Sequence, residues 1–185
     1  MDAVTYVVDP ALDEQLEAAL VALWVAVTNA GGAVGFVPPV TTGDVAPHVA
    51  PLFARLRSGP DRLVVAVQDQ VPVGMATLEL RPGELFAHWA WVKRVQVHPD
   101  LQGRGVGSRL TLALHDVARE AGLEQLFITV RGGTGVERVY ERLGYRKVAT
   151  LPRVIRLSAD DYRDEHHLLY DLTPHPSGAP GPSLE

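Results

Sequence analysis

Three glycines at every second position, Gly103, Gly105 and Gly107, stand within His98-Pro99-Asp100-Leu101-Gln102-Gly103-Arg104-Gly105-Val106-Gly107-Ser108. An apolar, strand-like run from Ala87 to Val97 precedes this stretch. A helical pattern continues it, with Val106, Leu110, Ala113, Val117 and Ala121 near the 3.6-residue period. A strand, a glycine-rich turn and a helix start, in that order, make an anion site. The first N–H groups of a helix lack internal partners, and the helix dipole places partial positive charge there. Glycines let a phosphate approach the backbone closely, and Arg104 adds a full charge. At roughly 1.5–3 kcal/mol for each charge-assisted hydrogen bond, three or four would hold a pyrophosphate. The spacing excludes a P-loop, because no Lys-Ser or Lys-Thr pair follows the glycines. It also excludes the Gly-x-Gly-x-x-Gly dinucleotide fingerprint.

What the turn matches is Gln-x-x-Gly-x-Gly, Gln102 to Gly107. Here the sequence resembles the GNAT superfamily of acyl-CoA-dependent N-acetyltransferases, in which this turn wraps the CoA pyrophosphate. Two flanking motifs extend the resemblance in the correct order. Val95-Gln96-Val97-His98-Pro99 is similar to the family's fourth strand and its exit, whose backbone binds the pantetheine arm and acyl group. Tyr140-Glu141-Arg142-Leu143-Gly144-Tyr145 is similar to the family's Tyr-Glu-Lys-x-Gly-Phe ending, with Tyr140 at the catalytic tyrosine. The resemblance therefore implies acetyl-CoA as acyl donor. It assigns cofactor binding to Val95, Gln96, Val97, Gln102, Gly103, Arg104, Gly105, Val106, Gly107 and Ser108.

The implied reaction is transfer of an acetyl group to the primary amine of a small molecule, by direct attack in a ternary complex. Val97 is expected to donate its N–H to the thioester carbonyl, in the manner of an oxyanion hole. Tyr140 is expected to act as general acid, since a phenol with a pKa of about 10 stays protonated at neutral pH. The base is open. Relatives often carry a Glu six residues before the position of Val97, where this chain has Trp91. Glu84, His88, His98 or a water chain remain as candidates. Many relatives also carry an Asn seven residues before the tyrosine, where Gly133 stands.

The loop Gly31-Gly32-Ala33-Val34-Gly35-Phe36 is similar to one in tabtoxin-resistance-type acetyltransferases of the same superfamily. Phe36, Trp91 and His88 are accordingly expected to line the acceptor site, beside a further aromatic, Trp89. Acetylation of a protein N-terminus or lysine is the alternative enzyme reading. A non-catalytic CoA-binding sensor module is the alternative outside enzymes.

The elements that must position these residues follow from patterning. Val4 to Val8 reads as a strand. A helix with Pro10 near its first position carries Leu12, Leu16, Leu20, Leu23 and Val27 on one face. A second helix is expected over 46–57. Strands are expected over 63–68 and 73–80, joined by a turn at 69–72. The long fourth strand and the third helix follow, the helix ending at Gly122. A fifth strand over 126–130 and a fourth helix over 135–143, with Gly144 after it, come next. Strands over 146–150 and 167–172 close the domain. Lys93 and Arg94 interrupt the alternation of Trp89, Trp91, Val95 and Val97, consistent either with a β-bulge or with a surface-facing strand end.

Periodicity alone supports a mixed α/β domain. The resemblance sharpens this to an α/β (α+β), GNAT-like fold: a central, mixed, mostly antiparallel twisted sheet of about six to seven strands flanked by about four helices. One domain is expected over 1–172, with 173–185, rich in Pro, Gly and Ser, as a disordered tail.

The chain has 185 residues, 46% hydrophobic and 21% charged, enough for one substantial core. A net charge of −5 without a basic cluster argues against nucleic acid as a partner. Cysteine is absent, so disulfides and thiol chemistry are excluded. His115, His166, His167 and His175 lack metal-ligand spacing with carboxylates, so no metal is expected; His166-His167, near the final strand, reads either as lining a pocket or as an exposed pair. No signal peptide or membrane span is legible, which leads to an expected cytoplasmic location without a membrane partner. A homodimer is compatible with the resemblance, since homodimers are frequent among relatives.

Overall fold

The structure is a computed structural model that describes residues 3–173; the tail expected over 173–185 lies, apart from Thr173, outside the described residues. Seven strands form one sheet: β1 (Thr5–Val8), β2 (Arg62–Gln68), β3 (Val71–Leu80), β4 (Trp89–Val97), β5 (Gln125–Arg131), β6 (Arg146–Arg156) and β7 (Tyr162–Asp171). Their spatial order is β1-β2-β3-β4-β5-β7-β6. All neighbours are antiparallel except β4 and β5, which run parallel. The helices are α1 (Glu14–Asn29), α2 (Thr42–Ser58), α3 (Val106–Glu120) and α4 (Glu137–Arg142). The mixed sheet and the element order are those expected.

The two faces of β2 explain why its sequence is an unbroken apolar run. Leu63 and Val65 pack under α1 and α2 with Leu20, Trp24, Val49 and Phe53. Val64 and Ala66 pack on the opposite face under α3, with Leu110, Leu114 and Val117. A strand covered on both sides has no position that favours a polar residue.

Several boundaries differ from expectation. Helix α1 starts at Glu14, not at Pro10. Asp13 is its cap, its Oδ1 accepting from Leu16 N at 2.8 Å. Asp9 instead takes a left-handed φ of 45° and its carboxylate accepts from Leu63 N at 2.9 Å, tying the chain to β2. Helix α2 starts at Thr42, because Asp44 Oδ2 accepts from both Thr41 N and Thr41 Oγ1 and closes the first turn; Pro47 and Pro51 lie inside the helix. The β2–β3 turn is only Asp69-Gln70, both at positive φ, so β3 already begins at Val71. Helix α4 is shorter than expected, with Gly144 following at φ 95°.

The largest difference is the final hairpin. β6 runs on past Thr150 to Arg156 and β7 begins at Tyr162, five residues before expectation. Pro152 does not stop β6. It sits on the sheet's edge strand, inside a register shift between Leu151 and Ile155, where no ladder donor is required.

Candidate active site

Pairing between β4 and β5 covers only Trp89–Trp91 against Gln125–Phe127. Beyond Trp91 the two strands part and leave a notch. On its other edge β4 stays paired with β3, but the register slips by one residue: Met75 faces Gln96 whereas Thr77 faces Lys93. Arg94 absorbs the extra residue at φ 53°. The interruption at Lys93-Arg94 is thus a β-bulge, which bends β4 away from β5. Gly74 pairs with Val97, just past the bulge, where space is tight. A Cβ there would meet the Gln96 carbonyl oxygen and Leu110 Cδ1, both at 3.0 Å.

The bulge sets which backbone groups face the notch. His98 N donates to Val73 O at 2.8 Å, so the peptide oxygen of Val97 points the opposite way. Gln102 Nε2 donates to that oxygen at 3.0 Å. In extended backbone the N–H of a residue lies on the same edge as its C=O, so the Val97 N–H is also turned to the notch. Val97 is 7% exposed and its side chain packs on the α3 side of the core. Val95 is half-buried on that same side. Gln96 is 3% exposed, and both amide atoms of its side chain are sealed without a partner.

The turn from Gln102 to Gly105 delivers the chain to the start of α3. Gly103 and Gly105 have φ of 74° and 82°, conformations other residues adopt at a cost, and a Cβ on either would meet open space. Gly105 is the cap residue of α3, which has neither a side-chain cap hydrogen bond nor an acidic residue in its first turn. Its leading N–H groups, around Val106, Gly107 and Ser108, remain available to an anion. Arg104 is exposed beside them. These features fit a nucleotide pyrophosphate. The Gln102 side chain ties the turn to β4 through the Val97 carbonyl.

Tyr140 lies on α4, 5% exposed. Its ring meets Tyr145 edge-on at 5.5 Å, and Tyr145 N donates to Tyr140 O at 3.0 Å. Burial pushes the Tyr140 phenol well above its ordinary value. The hydroxyl has no protein partner among the described residues and is not among the sealed polar atoms. Tyr145 is anchored from behind, its hydroxyl 3.0 Å from Nε2 of the buried His115.

On the sheet face under α1 and α2, polar residues from three strands form one row. Lys93 Nζ reaches Thr129 Oγ1 at 3.4 Å and lies 4.5 Å from the Trp91 ring centre. Thr129 faces His167 across β5 and β7, and Arg131 faces Glu165. His167 Nε2 is 2.9 Å from Glu165 Oε1, and its ring lies 6.2 Å from that of Trp91. Burial lowers the Lys93 ammonium below its ordinary value, against the opposing pull of Glu79 and Glu165. The α1–α2 loop is tethered to the end of this row by Arg131 Nη2 donating to Gly31 O at 3.0 Å.

Trp91 is part of this face, packed on Phe127 at 5.6 Å. Phe36 lies in the α1–α2 loop against Trp24, over whose ring Arg94 of the bulge sits. The structure does not bring His88 to the notch. His88 precedes β4 at the end where β4 and β5 are paired, nine residues before Val97, or roughly 30 Å along an extended chain. Glu84 is exposed in a short 3-10 turn before that same end. His98 Nδ1 accepts from Asp100 N at 3.4 Å and closes the strand exit. His166-His167 is not an exposed pair: both are half-buried, on opposite sheet faces, with His166 Nδ1 3.0 Å from Thr150 Oγ1. Lys93, Arg131 and Glu165 were missed from sequence as parts of this row, and His167 was legible only as one of a pair that could line a pocket. The usable signal was the two-residue spacing of Thr129 with Arg131 and of Glu165 with His167, which puts each pair on one face of its strand.

Among the described residues no helix is long and apolar enough to cross a membrane, and no group of three or more His, Asp or Glu side chains is placed to hold a metal ion.

Comparison with known proteins agrees with this geometry. No curated protein matches the chain. The structure is similar to YncA from Salmonella typhimurium, solved with its cofactor acetyl-CoA, at a TM-score of 0.73 and 22% identity over 95% of this chain and 98% of that one. It is similar to ribosomal-protein-alanine N-acetyltransferase from Brucella melitensis, at a TM-score of 0.72 and 22% identity over 89% of this chain and 99% of that one. A candidate phosphinothricin N-acetyltransferase gives a TM-score of 0.75 at 18% identity over 92% and 99%. These likenesses establish the fold. The sequence model of the acetyltransferase (GNAT) family matches residues 35–145, from the α1–α2 loop through the notch, the glycine turn and α4. With that match over more than half its length, the chain belongs to the GNAT acetyltransferase family, the acyl-CoA-dependent N-acetyltransferases.

Proposed function

We propose that the protein moves an acetyl group from acetyl-CoA to the primary amine of a small molecule, by direct attack with both substrates bound. The observation that carries this reading is the bulge at Arg94. It opens β4 from β5 and turns the Val97 N–H into a notch that ends at the uncapped start of α3. The first turn of α3, with Gly103, Arg104, Gly105 and Ser108, would hold the pyrophosphate. The notch-facing backbone of Val95 to Val97 would hold the pantetheine arm, in place of the missing strand partner. Val97 N–H would then polarise the thioester carbonyl without reorganisation. Tyr140, protonated and unpartnered, would donate to the departing sulfur. Holding both reactants in one geometry supplies about 7–11 kcal/mol of the barrier reduction.

The choice of a small acceptor rests on the α1–α2 loop. Structural neighbours include both a ribosomal-protein-alanine and a candidate phosphinothricin N-acetyltransferase, so the fold does not discriminate. Arg131 ties the loop to the end of the polar row, and Phe36 packs against the core beneath α1 and α2. A face bordered by this loop suits a compact amine better than a peptide, with Trp91 and Phe36 as its walls.

Calorimetry of acetyl-CoA binding tests the nucleotide site. The wild type is expected to bind, and Gly105→Glu to bind at least about 100-fold more weakly, or about 3 kcal/mol. Glutamate brings negative charge to the pyrophosphate position as well as strain at φ 82°. Gly105→Ala carries the strain without the charge and is expected to lose clearly less. Equal losses in the two variants would place the pyrophosphate elsewhere.

A further inference from the structure

We propose that His167, held by Glu165, is the general base that removes the proton from the attacking group in the acetyl transfer, an inference that rests on the acetyltransferase reading of this site. Trp91, Phe127 and Thr129 carry no group that exchanges a proton near neutrality. Lys93 is engaged, its Nζ donating to Thr129 Oγ1 at 3.4 Å and lying 4.5 Å from the Trp91 ring centre. His167 is the one imidazole on this face among the described residues. His48 is out on α2 against Phe36, and His88 is at the closed end of the sheet.

The geometry around His167 suits the task. Glu165 Oε1 accepts from Nε2 at 2.9 Å, which places the imidazole proton on Nε2. The lone pair is then on Nδ1, which has no protein partner among the described residues and is not sealed from solvent. Glu165 also stabilises the imidazolium that forms when Nδ1 takes a proton, as an orienting carboxylate does for a catalytic histidine. His167 projects from β7, one strand beyond the notch and on the face away from α3. The proposed role requires the attacking amine to approach from the α1–α2 side, between His167 and the thioester carbonyl, with the proton passing directly or through bridging water. The other charged groups facing His167 are Lys93 on β4 and Arg131 on β5, with Glu165 on its own strand; β6 presents Ala149 opposite it.

The step balances without a further reagent. The acceptor nitrogen forms the C–N bond to the acetyl carbon while the C–S bond breaks. One proton passes from nitrogen to His167 Nδ1 and on to solvent, while the sulfur leaves as a thiolate that accepts a hydrogen bond from Tyr140 and takes its proton from solvent.

The test does not require the natural acceptor. Acetyl-CoA cleavage is followed by thiol release with water as the attacking group. It is then repeated with hydroxylamine, an amine already neutral at pH 7 that needs little help from a base. His167→Gln is expected to slow attack by water about 100-fold, and by at least tenfold more than attack by hydroxylamine. The acidic limb of the water reaction's pH profile should vanish with it. Glu165→Gln should slow attack by water less, since the imidazolium loses its partner. Equal losses with both nucleophiles, or an acidic limb that survives in His167→Gln, would overturn the assignment while leaving the acetyltransferase reading intact. Wild type that binds acetyl-CoA by calorimetry yet releases no thiol with either nucleophile would overturn both.

Discussion

Tyr140→Phe will lower the acetyl-transfer rate by about 10²–10³-fold, or about 3–4 kcal/mol of transition-state stabilisation, with acetyl-CoA affinity changed less than about threefold. The substitution removes one oxygen and leaves the ring's edge-on packing against Tyr145 in place. The hydroxyl makes no bond to the described protein, so its loss should leave folding nearly untouched. The raised phenol pKa shapes what this group can do. A thiol has an ordinary pKa of about 8.5, so complete transfer from a weaker acid to a free thiolate is uphill. The phenol therefore acts first as a hydrogen-bond donor to sulfur as charge develops there. Its protonated form persists at every working pH, because burial moves its titration further above neutrality. The rate profile should show no alkaline fall due to this residue below about pH 10. Steady-state kinetics for kcat and KM, paired with calorimetry, read out the expectation. A Phe variant with wild-type kcat would remove Tyr140 from the reaction.

The parts of this site that lie on one contiguous segment were legible, and the parts assembled across strands were not. The glycine turn is local: Gln102 to Gly107 carries its own left-handed positions and runs into the helix that completes the anion site. The bulge was half legible. Lys93-Arg94 broke the alternation, but only the pairing of Met75 with Gln96 and of Thr77 with Lys93 separates a bulge from a frayed end. The row from Lys93 through Thr129 to His167 is invisible to any window, because sheet order brings those strands together, with β7 inserted between β5 and β6. Boundary errors have the same origin. Asp9-Pro10 and Asp13 are both reasonable helix starts, and tertiary contact decides between them, since Asp9 is taken by Leu63 N. Pro152 reads as a strand stop unless β6 is known to be an edge.

Acidification should destabilise this protein through His115, which no catalytic argument requires. His115 lies on α3, 1% exposed, stacked on Tyr170 at 4.2 Å and 3.0 Å from the Tyr145 hydroxyl. Its Nδ1 is sealed without a partner. Burial, aided by Arg119 and opposed by Asp116, lowers its pKa to about 4. In the unfolded chain the imidazole returns to about 6.5. Between these values the unfolded state binds a proton that the folded state refuses, so stability falls as pH falls through that window. At about pH 4.5 the loss reaches roughly 2–3 kcal/mol, a large share of a typical domain's stability. Urea unfolding of wild type and His115→Gln at about pH 7.5 and 4.5 isolates the effect, because every other titrating group is common to both. At the higher pH the variant should be the less stable, having lost the stack and the bond to Tyr145. The gap should narrow by about 2–3 kcal/mol at the lower pH. Parallel behaviour of the two proteins would mean that His115 titrates normally. The consequence extends to the site, since Tyr145 joins His115 to Tyr140: protonation that expels His115 would loosen the ring against which the candidate acid is packed.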